Sequence, residues 1–325
     1  MSAIGFAIMM TSLSMAIIEG IFGGAIDYSL KQFTSYIQIQ DSAFAESPSI
    51  RKVIKLEDSA IEQIRGVDHY ISSSPRILGT GLIGTSEKSL GAGILGIDPI
   101  SESKTTSLHE RLNAGVWVND KNIYDIVVGY KMLNNLRANI GDTMVILTNS
   151  YDGSMGNLKF RIAGTIKMGN DEFDKRTCII HIDAADELFG LYGNYQVYAI
   201  ALKNIEAIAI AKPQVEKALS DYGNAKVLGW EDLLPELNEM MRMKKVSAGI
   251  MIGIIVIVVM FGIFNTITMS VTERFNEFGI MLAIGIEKSL LLASVFWETV
   301  ILAILGIILG LVPGYGISWY LTNYP

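Results

Sequence analysis

Two long apolar runs separated by a short charged segment constrain this chain more than any other feature. Residues 246–272 contain no charged side chain, and residues 289–325 contain only Glu298. Each run exceeds the roughly 20 apolar residues that a helix needs to cross the hydrocarbon core of a bilayer. The segment joining them is therefore expected to turn around tightly on one membrane face. Within it, i, i+4 spacing places Glu273, Arg274 and Glu277 on one helical side, and Phe275, Phe278, Met281 and Leu282 supply apolar surface. A short surface helix with charges and aromatic knobs suits the reception of force from a soluble partner.

Half of the residues are hydrophobic and 18% are charged, with the apolar ones concentrated at the two ends. That distribution describes an integral membrane protein with one large polar insertion. A third span is expected at residues 2–18. It has no Lys or Arg in front of it and no small-residue cleavage site, so it reads as a transmembrane helix rather than a signal peptide. From Glu19 to Tyr36 the apolar residues Ile21, Phe22, Ile26, Leu30 and Phe33 recur at helical spacing, which extends the helix out of the membrane as a stalk. The expected organisation is a first span and stalk at 1–36, an outer domain at 37–230, and a second stalk and span at 231–272. A short helix at 273–288 and a third span at 289–325 complete it.

The insertion reads as mixed. Strand-like stretches rich in β-branched and aromatic residues fall at 36–40, 70–78, 94–97, 143–147, 159–166, 177–182 and 196–202. Helical patterns fall at 56–65, 107–112, 130–136, 184–189 and 206–222, the last interrupted by Pro213. The two kinds interleave without a strict βαβ rhythm, so the fold class expected here is α+β.

Residues 79–84 (GTGLIG) and 91–96 (GAGILG) both match the dinucleotide pattern GxGxxG. The pattern carries meaning only where it closes a strand and opens a helix that meets a pyrophosphate. The first match is followed by a segment too short for such a helix. The second is followed by Asp98 and Pro99, which favour a turn, so both read as glycine-rich strands rather than a cofactor site. No phosphate-loop motif occurs, so nucleotide hydrolysis is not assigned to the chain. His69, His109 and His181 lack metal-ligand spacing, and the lone Cys178 suits a small core residue. No catalytic residue, metal or cofactor is expected, and the net charge of −7 argues against a nucleic-acid partner.

Residues 265–285 (NTITMSVTERFNEFGIMLAIG) resemble the signature of the FtsX-like permeases, the membrane subunits of MacB-type and lipoprotein-releasing ABC transporters. The pattern there is roughly N-x-x-x-x-S-V-x-E-R-x-x-E-x-G-x-x-x-A-x-G, and nearly every specified position is met. Weaker matches follow in the same order: residues 36–39, 96–99, 127–129, Gly141 with Asp142, Trp230, and Glu298 followed by Gly306 and Gly310. The overall pattern of the outer domain lies nearer the lipoprotein-releasing LolC/LolE-like branch than the efflux-pump branch.

The resemblance implies an α-helical transmembrane bundle with a MacB-like periplasmic core domain inserted between the first two spans. It implies residence in a bacterial inner membrane and dimerisation with a second permease subunit. A cytoplasmic ABC ATPase dimer would dock on the short helix, its motion passing through the stalks to the outer domain. An extracytoplasmic chaperone or lipoprotein is a further implied partner. Carried over residue by residue, Glu273, Arg274, Phe275, Glu277, Phe278, Gly279 and Gly285 are the expected ATPase contacts. The family has four spans and a cytoplasmic helix before the first, so the chain is expected to be a fragment lacking that helix and the fourth span. Glu298 stands as an ionisable group inside an apolar run. Gly306, Gly310 and Gly314 form small-xxx-small steps suited to helix packing. Two other readings share parts of this plan: an FtsX-like regulator of an extracytoplasmic partner, and a membrane-anchored binding domain.

Overall fold

The computed structural model describes residues 26–323 and, before them, 9–10, 12–14, 16–17, 20 and 24. The expected first span and the start of its stalk therefore lie largely outside the described residues. The chain divides into two compact units, one of Ile26–Pro235 and one of Met1–Ala25 with Glu236–Pro325.

The first unit is built on ten strands among the described residues: β1 (Ile37–Asp41), β2 (Tyr70–Gly84), β3 (Ser89–Ile97), β4 (Leu112–Gly115), β5 (Asp125–Gly129), β6 (Thr143–Asn149), β7 (Met155–Ile166), β8 (Thr177–His181), β9 (Val197–Leu202) and β10 (Ala225–Gly229). Their order is β10-β1-β9-β2-β3-β8-β5-β7-β4, and β6 bridges β2 and β7. The strands β2, β3, β8, β5, β7 and β6 thereby close a ring. The length of β2 permits this: Tyr70–Arg76 pairs with β9, and residues 82–84 pair with β6. Two pairings are parallel, β3 with β8 and β5 with β7, which makes the sheet mixed. Alternation fills the interior: Met144 and Ile146 of β6 face inward with Phe160 and Ile162 of β7, all at most 1% exposed. β9 is buried at all six positions, as expected of a strand covered on both faces.

Two differences from the sequence reading have physical causes. Asp98 and Pro99 open a helix, Pro99–Thr105, instead of a turn: the Asp98 carboxylate accepts from the Ile100 and Ser101 N–H groups, and Pro99 takes a first-turn position where no N–H is needed. The helix expected at 107–112 is a single 3-10 turn, Leu108–Arg111, that runs into β4. The glycine-rich runs lie inside β2 and β3 and pair with each other around a tight turn, as the sequence reading expected. Cys178 is buried, and burial pushes its thiol well above the ordinary range. His181 Nδ1 accepts from the Asp183 N–H and its Nε2 meets Asp120 at 3.0 Å, a capping role at a helix start.

The second unit contains the helices Pro235–Glu273 and Lys288–Asn323, joined by the short helix Phe275–Ala283. The two long helices contain stretches long and apolar enough to cross a membrane, with 18-residue windows of mean hydropathy 2.8 in Pro235–Glu273 and 2.5 in Lys288–Ile317. Their apolar side chains, Phe261, Phe264, Phe296 and Leu309 among them, point outward with half or more of their surface uncovered. Helices apolar on every side need an apolar solvent. Their hydroxyls are satisfied within the helix: Thr266 donates to the Gly262 carbonyl, Thr268 to that of Phe264 and Thr299 to that of Val295.

Candidate functional site: the coupling segment and the stalk root

The segment between the long helices is assembled from three local devices. Glu273 is the last residue of one long helix, Arg274 leaves helical geometry at φ −100° and ψ 13°, and a new helix runs from Phe275 to Ala283. This break separates Glu273 from Glu277, so the single helical side expected for Glu273, Arg274 and Glu277 is interrupted at Arg274. At the other end Gly285 adopts φ +97°, its N–H bonds the Leu282 carbonyl, and the Ile286 N–H reaches back to Met281. This glycine-terminated hydrogen-bond pair stops the helix where any other residue would be strained.

Glu298 meets Arg274: Arg274 Nη1 donates to Glu298 Oε2 at 3.5 Å, with the side chains 51% and 44% exposed. The one carboxylate in this apolar run is thus matched with the cation at the helix break. Glu273, Glu277 and Phe275 are exposed and Phe278 is half-buried. Gly279 is exposed in mid-helix, and a Cβ there would meet nothing within 4 Å. Such a glycine costs helix stability without serving any packing among the described residues. Gly306, Gly310 and Gly314 are buried. At Gly314 a Cβ would collide with Ser12 Oγ and come within 3.3 Å of Met9 Cα, so this glycine lets the first and last helices approach.

A second site, invisible in the sequence pattern, lies at the root of the first stalk. The helix leading into β1 widens to a π turn over Leu30–Thr34, and Ser35 follows at φ +66° and ψ 174°. That conformation is almost confined to glycine and costs about 1–3 kcal/mol in other residues. Ser35 is held there by burial, by its Oγ donating to the Ile200 carbonyl at 2.7 Å, and by its N–H bonding the Leu30 carbonyl at 2.7 Å.

Beside it Arg76, 2% exposed, spends its guanidinium on three acceptors. Nε and Nη2 donate to the two Glu102 oxygens at 3.0 and 2.7 Å, and Nη1 donates to the Phe33 carbonyl at 2.6 Å. The Phe33 ring lies 5.4 Å below the guanidinium carbon. Thr106 donates to Glu102 at 2.5 Å. Burial alone would raise the Glu102 carboxyl, but attraction and hydrogen bonds from Arg76, joined by Thr106 and Ser74, hold it below the ordinary carboxylate value. Ser107 N–H bonds the Lys31 carbonyl at 2.8 Å, and Arg111 bonds Tyr28 Oη at 2.5 Å. Three residues of the strand-bearing unit therefore grip the helix that leads into β1 directly. No sequence signal announced Arg76 and Glu102, which stand 26 positions apart in unrelated elements.

Residues 249–324 match the family described as FtsX-like permease C-terminal. An uncharacterized ABC transporter permease of Methanocaldococcus jannaschii is 30% identical over 209 residues, which cover 62% of this chain and 50% of that one. The lipoprotein-releasing system transmembrane protein LolC of Haemophilus influenzae is 23% identical over 329 residues, covering 97% of this chain and 78% of LolC. Among solved structures, the periplasmic region of MacB from Actinobacillus actinomycetemcomitans aligns with a TM-score of 0.47 at 12% identity, covering 66% of this chain and 98% of that one. This chain spans about half the length of the archaeal relative. The coupling segment and the helices around it lie within the stretch that matches the FtsX-like permease model, and the chain is similar to ABC transporter permeases, LolC and MacB among them at low identity.

Proposed function

We propose that this chain is a permease subunit that transmits the motion of a cytoplasmic ATPase dimer to an extracytoplasmic domain, in the service of lipoprotein release or export of a related substrate. The observation that carries this reading is the short helix Phe275–Ala283, held between two membrane-length helices with Glu273, Phe275, Glu277 and Gly279 uncovered. Gly279 leaves a gap in the helix surface that nothing among the described residues fills. Close approach of a partner gives that gap a purpose.

On this reading ATP hydrolysis belongs to the partner, and the long helices form part of a multi-pass bundle in a bacterial inner membrane. Ile26–Pro235 stands on the outer side, as a MacB-like core. A second permease subunit completes the dimer. The grip of Arg76, Ser107 and Arg111 on the stalk supports the same reading, since a lever moves its load only when its end is fixed.

The test is co-purification from mild detergent, comparing the parent chain with Glu273→Lys/Glu277→Lys. The expected result is an ATP-binding subunit, with ATPase activity, that is lost in the double variant. Recovery of no ATPase by a folded parent chain rejects the proposal in favour of an anchored binding domain. Recovery of an ATPase together with an extracytoplasmic enzyme and no exported cargo favours the FtsX-like regulator.

A further inference from the structure

The strand β3 has an edge that the fold leaves open. It pairs with β2 along its whole length, but its parallel partner β8 begins only at Gly93, opposite Thr177. Residues 89–92 therefore have no strand on the side away from β2. In an antiparallel ladder successive residues turn their N–H and C=O groups to opposite sides, so two of these four present both groups to the open side. Beyond β2, no hydrogen bond reaches residues 89–92 among the described residues.

The open edge borders a groove of about 770 Å³, lined by Leu82, Leu147 and Met155 together with Gly81, Gly91 and Gly93. An adjoining hollow of about 490 Å³ shares Gly91 and Arg176 with the groove and adds Lys88 and Lys175, with no carboxylate in its lining. Asp171 engages Lys131 and Lys175, and Glu172 lies 3.6 Å from Arg176. Lys88 has no acidic partner among the described residues. In a chain of net charge −7 this is a local reversal of sign.

The glycines along β2 and β3 fall into two kinds. Gly79 lies under the Phe189 ring, and Gly96 lies against Ala185 and Ile77, so packing excludes a side chain at both. At Gly91 a Cβ would meet nothing within 4 Å, at Gly93 only the Arg176 carbonyl at 3.7 Å, and neither has a positive φ. Neither space nor conformation demands glycine there, although glycine weakens a strand. Its effect is to leave the backbone of the open edge bare.

We propose that this edge is a docking site for an extended protein segment bearing acidic side chains. The segment adds as a strand beside residues 89–92, exchanges ladder hydrogen bonds with the free N–H and C=O groups, and points carboxylates at Lys88 and Arg176. An acyl chain offers no partner for those groups, which is why a peptide and not a lipid is the occupant. The proposal goes beyond the permease reading and is independent of any ATPase.

The test uses the full chain in detergent micelles and two short fluorescein-labelled peptides, one alternating valine with glutamate and one alternating valine with lysine. Binding is read by fluorescence polarisation. The expected result is saturable binding of the glutamate peptide, at least about tenfold tighter than the lysine peptide. Gly91→Val should weaken it about tenfold or more with the melting temperature unchanged, and Lys88→Glu should weaken it about threefold or more. ATPase co-purification should be unaffected by either change. Equal binding of the two peptides, no binding of either, or unchanged binding by Gly91→Val overturns the proposal. Displacement of the glutamate peptide by a fluorescent fatty acid assigns the groove to lipid and overturns it as well.

Discussion

Two arginine–glutamate pairs stand at the root of the first stalk and at the coupling segment, and they are built in opposite ways. At the stalk root Arg76 and Glu102 are 2% and 1% exposed, joined by two bonds, with the remaining donor spent on the Phe33 carbonyl and a further bond from Thr106. At the coupling segment Arg274 and Glu298 touch at a single 3.5 Å contact, and about half of each side chain is open. A buried charge cannot be left alone, so the first pair fixes its surroundings. An exposed pair can exchange its partner at little cost, which leaves the second free to rearrange. The difference teaches where rigidity is built in and where movement is allowed: the helix leading into β1 is locked into the strand-bearing unit, while the charged side chains around Arg274 remain available.

The largest test of this contrast is to break the buried pair. Arg76→Ala should destabilise the outer domain by about 3–5 kcal/mol, because Glu102 is left buried without compensation. Chemical unfolding followed by tryptophan fluorescence reads this, and Arg76→Met with Glu102→Leu together should recover most of the loss. A cost below about 1 kcal/mol for Arg76→Ala would show that the two pairs do not differ.

Acid should act on the same pair. The Glu102 carboxyl is held low in the folded chain, so in acid the unfolded chain binds the proton more readily. Its contribution is complete above the unfolded carboxylate value, about pH 4.3, and is lost as pH falls through the lower folded value. Unfolding across that range should be steeper in the parent chain than in the doubly apolar variant.

Gly285→Ala comes next in size. Forcing a Cβ into φ +97° should cost about 1–2 kcal/mol and fray the end of the coupling helix, read as reduced helix signal and weaker ATPase recovery. The smallest effect on stability belongs to Arg274→Ala, under about 1 kcal/mol. It should still reduce ATPase co-purification, and that separation of binding from stability is what an exposed pair predicts. Equal losses of both would place Arg274 with Arg76 among the structural residues.

The strands that the sequence pattern missed share a physical cause. β5 is a five-residue run buried at every position, and β10 is equally short, so neither offers enough alternation to be told from a loop. The helix at Pro99 was hidden because an Asp-Pro pair suits both a turn and a capped helix start, and only the bonds from Ile100 and Ser101 decide between them. The glycine runs were legible as strands, but which glycines serve packing depends on Phe189 and Ala185, far away in the chain.

By itself the sequence determined the long apolar helices, the charged turn between them and the presence of a large mixed domain. These follow from local periodicity and from the free energy of burying apolar side chains, both of which act within a single segment. Only the tertiary structure decided that β2, β3, β8, β5, β7 and β6 close into a ring, that Arg76 and Glu102 latch the stalk, that Glu298 meets Arg274, and that one strand edge stays open. Each of these joins groups far apart in the chain. Their proximity depends on how the whole backbone is paid for in packing and hydrogen bonds, and no local pattern records it.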